Sequence, residues 1–208
     1  MRSHLPRRSA RGLSQLELLI VLAILGILAV LAVGELTTLS RRSKTEEAVR
    51  GLADVFNGVA AYFNELRPDY GVAAGLPPHR CPHPEGAPFA GEQAPTPALA
   101  LTCADGPSGR CTPRQGADAP GTYELSEWTA NPVWQGIGFR HTGGHYFHYS
   151  YSFRNIITPD GHGACDFTVR ATADLDGDGV WSVYERSGHA DISGVKAEAG
   201  LRITNPLE

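Results

Sequence analysis

Gly12-Leu13-Ser14-Gln15-Leu16-Glu17-Leu18-Leu19-Ile20-Val21-Leu22-Ala23-Ile24-Leu25-Gly26-Ile27-Leu28-Ala29-Val30-Leu31-Ala32-Val33-Gly34 is the stretch on which the reading of this 208-residue chain turns. From Leu18 to Val33 it holds only Leu, Ile, Val, Ala and one Gly, and its polar members are Ser14, Gln15 and Glu17. Wound as a helix at ~1.5 Å per residue, residues 13–34 would cover about the hydrocarbon thickness of a bilayer. The expectation is a transmembrane segment. Upstream, Arg2, Arg7, Arg8 and Arg11 stand in a leader without acids, and basic residues before an apolar span hold that end in the cytoplasm. Arg41, Arg42 and Lys44 on the far side oppose this orientation weakly. An ordinary cleaved signal has an apolar core of ~7–15 residues. This run is longer and carries a carboxylate in its first turn. Helical periodicity also continues beyond it, so a cut after the run would discard the best helix.

That periodicity is carried by Val49, Leu52, Phe56, Val59, Phe63 and Leu66, three and four residues apart, a narrow helical seam. Pro68 disfavours helix at the residue before it and would stop the helix at Arg67. Gly34 weakens the helix by ~1 kcal/mol relative to alanine. Gly51 and Gly58 either admit close approach of a packed domain or are merely tolerated. Residues 68–121 hold 11 of the 15 prolines, which reads as a long irregular connection. Cys81, Cys103 and Cys111 lie in it, and such a loop is steadied by disulfides. Cys103 and Cys111 bracket a turn-rich stretch suited to a small closed loop, which by elimination leaves Cys81 for Cys165, although four cysteines allow three pairings.

From Trp128 onward the pattern is that of strands. Ile137–Phe139 is one, and in His145–Phe153 the residues Phe147, Tyr149, Tyr151 and Phe153 alternate with polar ones, giving one buried face. Phe167–Ala171, Val180–Tyr184 and Leu201–Ile203 are further candidates. The expected fold class is α+β, a long N-terminal helix packed on a C-terminal antiparallel sheet. The expected divisions are a leader at 1–12, a transmembrane half of the helix at 13–34, an amphipathic half at 35–67, the stapled loop at 68–121 and the sheet domain at 122–208.

The formal net charge is -4, and without the four leader arginines 14 basic residues face 22 acidic ones. Nucleic-acid binding by a general basic surface is excluded, since phosphate neutralisation needs clustered Lys and Arg. A divalent cation suits the balance better. Asp174, Asp176 and Asp178, the carbonyl of Val180, Ser182 and Glu185 fit the spacing of a calcium loop, against which stands a plain Asp-Gly hairpin turn. The strand-like approach through Phe167 to Ala171 argues against a helix-loop-helix hand. Among the eight histidines, His145 and His148 would face opposite sides of one strand, while His79, Cys81 and His83 would share a face if extended, with Cys81 expected to be oxidised. Surface or polar-face histidines are the better reading. With no nucleophile elbow, phosphate loop or zinc-protease helix in the sequence, no enzyme is expected.

Gly12 to Leu28 resembles the processing signal shared by type IV pilins and type II secretion pseudopilins. The resemblance implies that a prepilin peptidase cuts after Gly12, that Leu13 becomes the N-methylated mature terminus, and that Glu17 is the family's glutamate at the fifth mature position. Leu13 stands where Phe or Met is common, and Gly34 where many pilins have Pro. The implied fold is pilin-like. The implied function is that of a structural subunit, major or minor, of a type IV pilus-type filament. A secretion pseudopilin, or a solitary single-pass anchored protein that binds calcium, is the alternative. Implied partners are other pilin subunits, the peptidase and, before assembly, the inner membrane, with the head outside the cytoplasm and later in an extracellular pilus or a periplasmic pseudopilus. An acid at bilayer depth costs roughly 2.5–3.5 kcal/mol and seeks a cation, which the Leu13 amine of a neighbour would supply to Glu17.

Overall fold

A computed structural model describes residues 14–66, 75–198 and 200–207. The cut site at Gly12 and Leu13 and the helix stop at Arg67 and Pro68 lie outside the described residues. The chain divides into two compact units, Met1–Ser40 and Arg41–Glu208.

Helix α1 spans Gln15–Asn64. Its start is set by Ser14, whose hydroxyl accepts from the Glu17 amide at 3.2 Å. This is the first half of a capping box. The first unit corrects the expectation of a transmembrane half. Among the described residues no helix is long and apolar enough to cross a membrane. The same finding overturns the inner-membrane, single-pass location.

The second unit is α+β. Strands β1 (Ala90–Thr96), β4 (His148–Ile156), β5 (Ala164–Ala173), β6 (Ser182–Asp191) and β7 (Gly194–Ala197) form one antiparallel sheet in that order, and β8 (Arg202–Thr204) also pairs with β6. A small parallel pair, β2 (Thr112–Pro113) and β3 (Thr122–Tyr123), lies outside it. Helix α2 covers Ser126–Thr129, and α3 covers Pro132–Ile137. The expected strand at Ile137–Phe139 is therefore the end of a helix. Asn131 caps α3 through the amides of Val133 and Trp134, Pro132 takes its first position, and Gly138 closes it with φ 75°.

The seam of α1 also shifts from expectation. Ala48, Leu52, Val55, Phe56, Val59 and Phe63 are buried, whereas Val49 is 47% exposed and Leu66 is 65% exposed. The seam packs with Tyr149, Tyr151, Phe153, Phe167, Val169 and Tyr184 of the sheet in one core, together with Trp128 and Trp134. Strand β4 departs from one-faced burial, because His148 and Ser150 are covered as well as the aromatic side. The stretch 68–121, read as irregular, contains β1 at the sheet edge.

Gly51 and Gly58 are sites of close approach. A Cβ on Gly51 would stand 2.3 Å from the Tyr149 hydroxyl, and one on Gly58 would stand 2.1 Å from the Ile137 carbonyl oxygen. Alanine at 58 gains ~1 kcal/mol of helix propensity but must displace main chain at the end of α3, and overpacking costs ~1–3 kcal/mol. Gly58→Ala is expected to lose up to about 2 kcal/mol net, read as a lower denaturant midpoint. An unchanged midpoint would mean that α3 yields freely.

Candidate functional site

In the first unit the large apolar side chains from Leu16 to Leu31 are each 45–75% exposed and lie on every side of the helix. Glu17 sits in the first turn of α1, where a negative charge is favoured by the helix N-terminus. The helix thus presents one carboxylate at the start of an apolar cylinder.

In the second unit the hairpin between β5 and β6 brings three of the expected ligands together. Carboxylate oxygens of Asp174, Asp176 and Asp178 lie within 4.8 Å of one another. Asp174 accepts from the amides of Gly177 at 2.7 Å and Gly179 at 2.9 Å, and Asp178 accepts from the Val180 amide at 2.7 Å. Gly177 and Gly179 adopt φ 79° and 89°, which side-chain-bearing residues rarely take. Arg41 pairs with Asp176 at 2.8 Å, and Lys44 donates to the Leu175 carbonyl at 3.2 Å, so two cations of α1 already compensate the loop.

Ser182 and Glu185 are placed elsewhere, because β6 begins at Ser182 and the chain no longer curls around the cluster. Ser182 is buried and donates to the Asn205 carbonyl at 2.5 Å. Glu185 stands opposite Arg170 in the β5–β6 register and pairs with it at 2.5 Å.

Two disulfides are present, Cys81–Cys165 and Cys103–Cys111. Asn155 secures the segment around the first, accepting from the Cys81 amide at 2.7 Å and donating to the Pro88 carbonyl at 2.8 Å.

The reading of the histidines as surface groups is corrected. His145 is 0% and His148 is 2% exposed. His145 lies ahead of β4, bridged through its main chain to Cys111, so strand alternation does not separate it from His148. Its ring stands 2.9 Å from the Phe147 carbonyl and 3.2 Å from the Tyr123 hydroxyl. The His141 ring lies tilted against the His145 ring, centroids 4.4 Å apart, and packs edge-on against Trp128. Burial pushes His141 down to about 4, and burial, then the neighbouring His141 charge, pushes His145 down to about 3. His148 is lowered by burial too. Glu47 of α1 accepts from the amides of Tyr146 at 2.7 Å and Phe147 at 3.2 Å, and its burial raises its pKa. Sequence periodicity carried no signal for this cluster, since His141 and His145 lie ahead of β4, outside the named strands and helices.

No family model, no curated protein and no solved structure matches the chain.

Proposed function

We propose that the chain is a structural subunit of a type IV pilus-type filament, released by a prepilin peptidase after Gly12 and assembled through the apolar half of α1. The observation that carries this reading is the exposed apolar surface from Leu16 to Leu31. Burying one Leu or Ile side chain is worth ~1.5–3 kcal/mol, and a helix apolar on all sides needs covering on all sides. The same segments of neighbouring copies supply that cover. Packing them together carries Glu17 into an apolar interior, where it needs a cation, and the amine of a neighbour's Leu13 is the one the cut creates. Leaving a buried charge without its partner costs ~3–5 kcal/mol.

Glu17→Ala is therefore expected to leave subunit levels unchanged while filament yield after shearing falls about tenfold or more. Mass spectrometry of the wild-type filament is expected to find Leu13 as the methylated first residue. Undiminished yield, or a mature start beyond Gly34, would overturn the reading.

We also propose that the Asp174 loop takes calcium, a cation that prefers several oxygen ligands. Three carboxylates within 4.8 Å repel one another, and Arg41 offsets part of that repulsion through Asp176. With free calcium at 100 times its Kd, the folded chain is expected to gain ~2.7 kcal/mol. Equal melting temperatures in calcium and in chelator would reduce the loop to a hairpin turn.

A further inference from the structure

Cys103, Cys111 and His148 converge in the interior of the second unit, their sulfur and ring-nitrogen atoms all within 4.8 Å of one another. Nδ1 of His148 lies 2.8 Å from the Pro97 carbonyl oxygen. A carbonyl only accepts, so Nδ1 carries the ring proton and Nε2 carries the lone pair. Nε2 stands 3.4 Å from Sγ of Cys103, and a disulfide sulfur has no proton to donate. An almost fully buried lone pair thus faces an atom that cannot satisfy it while the bridge is closed. Opening the bridge changes that, because a thiol can donate to Nε2 and a metal can be shared among all three.

We propose that, when the Cys103–Cys111 bridge is reduced, Cys103, Cys111 and His148 form a zinc site. Zinc binds thiolate at ~2.3 Å and imidazole at ~2.0–2.1 Å, so the N-to-S edge of its tetrahedron is about 3.5 Å. The 3.4 Å separation matches that edge. The Pro97 carbonyl supplies the outer hydrogen bond that fixes a metal-binding imidazole.

The positions of the cysteines do not depend on the S–S bond alone. Cys111 exchanges two main-chain hydrogen bonds with His145, at 2.9 and 3.0 Å, and the Cys103 carbonyl accepts from Gly106 at 3.0 Å. A cavity of about 210 Å³ lined by Lys44, Cys103, Asp174 and Asp176 reaches the Cys103 side of the cluster. The fourth position falls to water.

The chemistry balances in two steps. A phosphine and water reduce the disulfide to two thiols and are converted to the phosphine oxide; zinc then displaces the two thiol protons. Cys103–Cys111 closes a separation of 8 residues, against 84 for Cys81–Cys165. It is the weaker constraint on the unfolded chain, and its Cys103 is the least buried residue of the four cysteines, so this bridge opens first.

The test uses the full chain, reduced stepwise with a phosphine and titrated with cobalt(II), then with zinc. The expected result is one cobalt per chain with a thiolate-to-metal absorption band, absent from the oxidised protein and displaced by one equivalent of zinc. Zinc is expected to shield Cys103 and Cys111 from alkylation, leaving any reduced Cys81 and Cys165 reactive. His148→Ala is expected to weaken zinc by roughly 100-fold. Oxygen ligation by the Asp174 loop gives no thiolate band, so it is not mistaken for this site. The proposal fails if no band forms at any stage of reduction, if His148→Ala binds as tightly as wild type, or if all four cysteines are shielded alike.

Discussion

Replacing Cys81 and Cys165 together by alanine is expected to lower the unfolding free energy by ~4.5 kcal/mol, against ~2.5 kcal/mol for Cys103 and Cys111. The difference arises in the unfolded chain. One bridge closes a separation of 84 residues and the other of 8, and the entropy removed grows with the logarithm of loop length. In the folded state Asn155 would still hold the Cys81 segment through its side-chain amide, so the folded structure is expected to survive the change. Denaturant titration of the two double variants decides the matter. Equal losses, or a larger loss for the short loop, would show that folded-state packing around the sulfurs outweighs chain entropy.

The parts legible in the sequence were those written in local pattern. The aromatic alternation of β4 and the spacing of apolar residues along the second half of α1 both follow from side-chain period. The seam still came out rotated, with Ala48 and Val55 inside and Val49 outside, because α1 packs on a sheet and on α3 at once rather than along one line. Two signals were present and went unread. Ser14 three residues before Glu17 is a capping box, and Asn131, Pro132 and Gly138 together bound a short helix.

Other features had no local signal. Strand β1 reads Ala-Gly-Glu-Gln-Ala-Pro-Thr, without the β-branched run that marks a strand, and it exists because β4 offers an unpaired edge. The roles of Gly51 and Gly58 depend on Tyr149 and Ile137, which are distant in sequence.

The candidate cation loop shows the same division. Asp174, Asp176 and Asp178 were placed by spacing alone and are brought together by the hairpin. Ser182 and Glu185 had the right spacing too, but spacing assumes that the chain continues to curl. Pairing with β5 straightens it at Ser182, and Arg170 across the ladder engages Glu185.

Lowering the pH from 7.5 to 5 is expected to remove about 4 kcal/mol of stability through His141 and His145. In the folded protein burial holds them at about 4 and about 3, whereas in the unfolded chain imidazole titrates near ~6.5. Above about pH 7 both states are neutral at these sites and nothing is gained or lost. Below ~6.5 the unfolded chain binds protons that the folded protein refuses, so stability falls with pH until the folded values are reached. At pH 5 each group stands ~1.5 pH units inside that window, and ~1.36 kcal/mol per unit gives roughly 2 kcal/mol apiece. His148, lowered by burial, acts in the same direction. Glu47 acts in the other, because burial raises its carboxyl. The folded state takes up that proton before the unfolded chain does, returning part of the loss as pH falls through the raised folded value. Asp166 is held below its ordinary carboxylate range despite its burial, by His189 and then Arg154, so its contribution is lost only at lower pH. Unfolding free energies measured at pH 7.5 and 5 provide the check, with His145→Gln expected to remove about half of the difference. A flat profile in the wild type would mean that these rings take up protons within the folded protein despite their packing against Trp128, Phe139 and Tyr149.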